Sequence, residues 1–138
     1  MATNIYINFN GNCREAVDFY VQVFGTEKPK IMTFGEAPPS PDFPLPDEAK
    51  NLIIHTQLNI SGSVVMVSDT FPGMPFTAGN NISLTITSKS MDEIKSIFNK
   101  LKDGGTVDMD LQQTFWSKCY GSVTDKFGIP WQLSYENE

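Results

Sequence analysis

The chain predicts an α+β fold made of two βαβββ modules, each a sheet carrying one helix on its outer face. Three observations lead there. Two segments show a single apolar stripe at helical spacing, a strand of alternating polarity precedes each, and three further alternating segments follow each. The order β-α-β-β-β thus occurs twice in 138 residues, and internal duplication is the economical reading. The modules span about 1–70 and about 81–138 of one domain, with a connecting loop at about 70–80.

In the first strand, Ile5, Ile7 and Phe9 alternate with Tyr6, Asn8 and Asn10. Asn12 is the expected N-cap of the first helix, with Glu15 in a capping-box relation to it. Ala16, Phe19, Tyr20, Val23 and Phe24 form its stripe, and Gly25 closes it. Strands are expected near 30–34, 52–60 and 63–68, the last two joined by a turn at Ser61-Gly62.

Module two opens with Ile82, Leu84 and Ile86 alternating against Asn81, Ser83, Thr85 and Thr87. Ser90 and Glu93 start its helix, Ile94, Ile97, Phe98 and Leu101 form the stripe, and Gly104-Gly105 ends it. Strands near 106–113, 117–124 and 130–136 complete it. Both helices should lie on a sheet by their apolar faces.

Two segments break the pattern. Residues 35–50 hold Pro38, Pro39, Pro41, Pro44 and Pro46, which excludes helix and central strand, and residues 69–80 hold Pro72-Gly73 and Pro75. They read either as plain surface loops or as lids offering Phe43, Phe71, Met74 and Phe76 as apolar contacts.

With a helix on one face of each sheet, the more polar faces remain. Brought together, they would enclose a concave cavity lined by Tyr6, Asn8, Asn81, Ser83, Gln132 and Ser134, with His55 and Gln57 from another strand. Val65, Val67 and Asp69 share a parity whose side alternation leaves open. Trp116 suits stacking on a planar or cationic ligand, or core packing. Trp131 shares parity with Leu133 and Tyr135 and is expected in the helix-facing core. Tyr6 and Tyr120 suit pocket donors or rim contacts.

The composition narrows the partners. A net charge of −6 and a single arginine, Arg14, argue against nucleic acid, whose phosphates require clustered cations. No apolar run approaches the roughly 20 residues of a membrane helix, and no basic-then-apolar leader opens the sequence, so a cytoplasmic protein is expected. Cys13 and Cys119 fall in no zinc or redox spacing and read as reduced thiols; Cys119 beside Lys118 is a weak candidate for an activated one.

Gly11-Asn12-Cys13-Arg14-Glu15-Ala16 with Phe19-Tyr20 and Phe24-Gly25 forms one motif. Thr114-Phe115-Trp116, Tyr120-Gly121 and Asp125-Lys126-Phe127-Gly128-Ile129-Pro130-Trp131 form another. Together they resemble the PhnB-like branch, often labelled demethylubiquinone methyltransferase-like, of the vicinal oxygen chelate (glyoxalase/bleomycin resistance/dioxygenase) superfamily. The resemblance implies cupped mixed sheets, usually in a homodimer. In metal-dependent members, His and Glu ligands come from the first and last strands of each module. Carried over, these positions fall near Tyr6 or Asn8, Val65 or Val67 with Asp69 just beyond, Asn81 or Ser83, and Gln132, where a glutamate is usual.

Amide and hydroxyl groups are poor substitutes for imidazole or carboxylate, so no metal cofactor is expected; His55 and Asp69 are weak candidates for a non-standard site. His55, the one histidine, is the candidate general base should catalysis occur without metal. The first strand-to-helix turn, Phe9-Asn10-Gly11-Asn12, has one glycine and lacks the fingerprint of a Rossmann methyltransferase. Methyl transfer is therefore not expected. The favoured function is small-molecule binding, with Tyr6, Asn8, His55, Gln57, Ser83, Trp116, Tyr120 and Gln132 as candidate contacts. The alternative is a metal-dependent lyase, isomerase or dioxygenase.

Overall fold

Among the described residues, alternating β-branched and polar residues build eight strands, and the two apolar stripes build two helices. The computed structural model describes residues 1–38, 42 and 44–136. Chain order is β1 (Ile5–Phe9), α1 (Cys13–Phe24), β2 (Met32–Thr33), β3 (Ile53–Ile60), β4 (Ser63–Asp69), β5 (Leu84–Ser88), α2 (Met91–Leu101), β6 (Thr106–Gln112), β7 (Tyr120–Thr124) and β8 (Pro130–Tyr135). The chain divides into two units, Met1–Phe76 and Thr77–Glu138. Each holds one helix and one four-stranded mixed sheet, ordered β1-β4-β3-β2 in the first and β5-β8-β7-β6 in the second. The first strand of each unit pairs in parallel with its last, and the hairpins pair antiparallel. The α+β class and the doubled βαβββ order are as the sequence predicts.

In the N-terminal unit, α1 buries Cys13, Ala16, Val17, Phe19, Tyr20 and Val23 and packs against β3 and β4. Gly25 ends it in the left-handed conformation at φ 61°, where a Cβ would be strained. Asn12 makes no side-chain cap bond. Asp69, at the end of β4, caps the helix in its place. Its Oδ1 accepts the Cys13 N–H at 2.9 Å and its Oδ2 accepts the Ile53 N–H at 2.9 Å. One buried carboxylate therefore holds the starts of α1 and β3 against β4. A negative charge at a helix N-terminus is also favoured by the peptide dipoles there. Arg14 is engaged nearby, donating to the Asn51 carbonyl at 2.9 Å.

In the C-terminal unit, α2 buries Ile94, Ile97, Phe98 and Leu101 and packs on β5, β7 and β8. Its cap follows the expectation in part. Ser90 Oγ accepts the Glu93 N–H at 3.2 Å, but the Ser90 N–H donates to Ser88 Oγ rather than to Glu93. Gly121 lets β7 approach the helix: a Cβ there would meet Leu111 Cδ2 at 2.9 Å and Phe98 Cε2 at 3.0 Å. Trp131 lies in the core at 1% exposure, as its parity predicts, and its indole N–H donates to Asp125 Oδ2 at 2.9 Å. Asp125 Oδ1 accepts the N–H groups of Phe127 and Ile129 and so closes the β7–β8 turn.

Several boundaries differ from expectation. β2 is two residues long with a register shift, and the Lys30 carbonyl before it accepts the Thr56 hydroxyl at 2.9 Å instead of a ladder amide. β5 starts at Leu84, so Asn81 and Ser83 precede the strand. β7 starts at Tyr120 because a Thr114–Ser117 turn occupies the residues before it. The proline-rich segment holds single 3-10 turns at Phe34–Glu36 and Asp47–Ala49, where helix was excluded; each is one turn, short enough to fit among the prolines. Pro39, Pro41 and Phe43 lie outside the described residues.

Candidate functional site

Each sheet has one face against its helix, and the opposite face collects the polar members of the alternation. On that face of the N-terminal unit, Tyr6 pairs with Met66 and Asn8 with Ser68 across β1 and β4. The Tyr6 hydroxyl donates to Ser68 Oγ at 3.0 Å, and Ser68 donates to Asn8 Oδ1 at 3.2 Å. His55, half-buried on β3, packs its ring 5.9 Å from that of Tyr6, and Gln57 is exposed two residues along. Tyr6, Asn8 and His55 therefore belong to one patch.

The C-terminal unit carries a counterpart. The Tyr120 hydroxyl donates to Gln132 Oε1 at 2.6 Å, and Gln132 Nε2 donates to Ser83 Oγ at 2.7 Å. A cavity of about 310 Å³ opens beside them, lined also by Asn80, Asn81, Asp108 and Ser122. Trp116 is 56% exposed, not core, and stands edge-on to Phe115 (4.7 Å) and Tyr120 (5.2 Å). Phe115, at 97% exposure, touches little else. A second cavity of about 320 Å³ lies against residues 113–118 with Tyr135 and Glu136.

Other candidates fall elsewhere. Val65 and Val67 are 2% and 0% exposed, on the helix side, because alternation from the clamped Asp69 sends them into the core. The positions of β4 that face away from the helix are Val64, Met66 and Ser68, the last buried at 5% exposure, and the parallel register with Tyr6 and Asn8 is the signal that points to Met66 and Ser68. Asp69 has both oxygens committed to backbone amides. Ser134 lies on the same face of β8 as Gln132, opposite Tyr120, but is buried at 7% exposure. Met74 and Phe76 are exposed, whereas Phe71 is pinned edge-on to Phe34 at 5.5 Å. Cys119 is buried, and Cys13 is fully so; burial, with the Asp69 charge beside it, pushes the Cys13 thiol up to about 12, against a weaker opposing pull from Arg14.

The residues at these positions do not fit a divalent metal. Of the carried-over positions, Tyr6, Asn8, Ser83 and Gln132 present neutral groups already in hydrogen bonds, Val65 and Val67 are apolar and buried, and Asp69 is committed to two backbone amides; among the described residues no three His, Cys, Asp or Glu side chains converge.

The paired βαβββ arrangement with these polar open faces is that of the vicinal oxygen chelate fold. The family profile described as 3-demethylubiquinone-9 3-methyltransferase matches residues 2–134, and the chain belongs to that family, the PhnB-like branch of the superfamily. It is 34% identical to Protein YjdN of Escherichia coli over 97% of this chain and 95% of the relative. The crystal structure of PA1353 from Pseudomonas aeruginosa superposes with a TM-score of 0.85 at 34% identity, covering 100% of this chain and 99% of that one. A Bacillus cereus PhnB protein, described as a putative 3-demethylubiquinone-9 3-methyltransferase, superposes at 0.76 with 25% identity, covering 99% and 100%. No helix among the described residues is long and apolar enough to cross a membrane.

Proposed function

We propose that this protein binds a small organic molecule on the polar face of its C-terminal sheet, without a metal ion. The observation behind this reading is the Tyr120–Gln132–Ser83 chain of hydrogen bonds at the wall of a 310 Å³ cavity. That volume lies at the lower end of the range for small-molecule sites, and a few convergent polar groups are what fixes a bound molecule's orientation. Gln132 stands where metal-using relatives of the resemblance carry glutamate, and its amide is spent on orienting Tyr120 and Ser83. The methyltransferase description is a family name. The one-glycine turn after β1 and the four-stranded sheets offer neither the phosphate cradle nor the doubly wound crevice that nucleotide-type cofactors use.

Metal analysis of protein purified without chelator, with native mass spectrometry of the same sample, tests the reading. Co-purified organic ligand and no stoichiometric metal is expected. Stoichiometric zinc, nickel, manganese or iron, lost together with binding on chelation, overturns it in favour of a metal-dependent enzyme.

A further inference from the structure

We infer that the C-terminal cavity selects ligands bearing an amine over those bearing a carboxylate or phosphate, and that Asp108 makes the selection. The inference rests on the small-molecule reading above and adds the ligand's charge.

The lining carries the argument. Asn80, Asn81, Ser83, Tyr120 and Gln132 are neutral, Asp108 is anionic, and no Lys, Arg or His contributes. Carboxylates and phosphates are held by charged or multiply donating groups, above all the arginine fork. The chain's single arginine is in the other unit, bonded to the Asn51 carbonyl. An ammonium has the reverse need: three donors seeking acceptors.

The cavity supplies acceptors. Asp108 Oδ2 takes the Thr124 hydroxyl at 2.8 Å, and among the described residues no Lys or Arg forms an ion pair with Asp108, so Oδ1 remains as an acceptor. The Tyr120–Gln132 contact of 2.6 Å is within the O–H···O range and short for N–H···O. Tyr120 therefore spends its proton on Gln132 Oε1, which leaves its oxygen to accept. One N–H of Gln132 Nε2 goes to Ser83 Oγ. The hydroxyl and amide groups of the lining can donate or accept, so Asp108 Oδ1 is what gives the cavity its preference for a cation.

Phenethylamine, phenethyl alcohol and phenylacetate differ in one functional group on a common ring. Each is titrated at low salt into the isotope-labelled protein while the amide resonances of Ser83, Tyr120 and Gln132 are followed. The amine is expected to bind about fivefold tighter than the alcohol, the scale of an exposed charge pair, with the acid weakest. Raising salt to about 0.5 M should narrow the gap. Asp108→Asn keeps an oxygen for Thr124 and should bring amine and alcohol within about twofold. Acid binding as tight as amine binding, or an amine preference untouched by Asp108→Asn, overturns the charge inference while leaving the small-molecule reading standing. No saturable shift with any compound overturns both.

Discussion

Trp131 and Asp125 form a buried pair in which the indole N–H donates to Oδ2 at 2.9 Å. With Oδ1 taking two further N–H groups, the carboxylate serves three donors and fixes both the turn and the largest fully buried side chain. Removing it leaves those donors without a partner in a dry site. Asp125→Ala is therefore expected to destabilise the protein by about 3 kcal/mol, read as a lower urea midpoint. A loss below about 1 kcal/mol would show that water replaces the carboxylate.

Cys13 gives a pH signature. Its thiol has an ordinary value of 9.0 when unfolded and about 12 in the native protein, so the native state favours the neutral form. That contribution is complete below pH 9.0 and is lost as pH rises toward 12. Urea unfolding of wild type and Cys13→Ala across this window should show the wild type losing stability faster with pH. Parallel decline of the two would exclude the thiol as the source.

Gly121 is held by space, not by φ. A methyl there presses on the Leu111 and Phe98 side chains and on the Met109 backbone carbonyl, so Gly121→Ala should cost about 1–3 kcal/mol by thermal or urea unfolding. Trimming the neighbour in Leu111→Ala should recover part of that loss when the two changes are combined, a coupling that a double-mutant cycle measures.

Gln132→Glu tests the degenerate metal position directly. The carboxylate can still accept from Tyr120 and Ser83, so the fold should persist. Divalent-metal affinity should rise over wild type in a calorimetric titration, while staying weak because one anionic oxygen ligand does not make a site. An unchanged affinity would place Gln132 away from the ancestral ligand position.

Much of this was legible by alternation. The parity of Ile5, Ile7 and Phe9 against Tyr6 and Asn8 separates core from open face, and the same rule places Trp131 and Gln132 on opposite sides. It failed where the deciding contact is distant along the chain. Asp69 reads as a polar residue at a strand end, yet its partners lie 56 and 16 residues away, and they convert a candidate ligand into a clamp. Asn12 has the composition of a cap and loses the role to that carboxylate. Asp108 and Ser68 were missed because one exposed acid or serine on a strand has no local signature; only register and the cavity bring them beside Tyr120 and Asn8.

The contrast between the chain's two tryptophans gives the protein a built-in pair of optical reporters. Trp131, at 1% exposure, emits from a dry environment and reports the opening of the C-terminal unit; Trp116, at 56%, emits from a wet one beside Tyr120. Replacing either one by Phe isolates the other, so the same fluorimeter can follow the core and the exposed surface beside Tyr120 as separate signals.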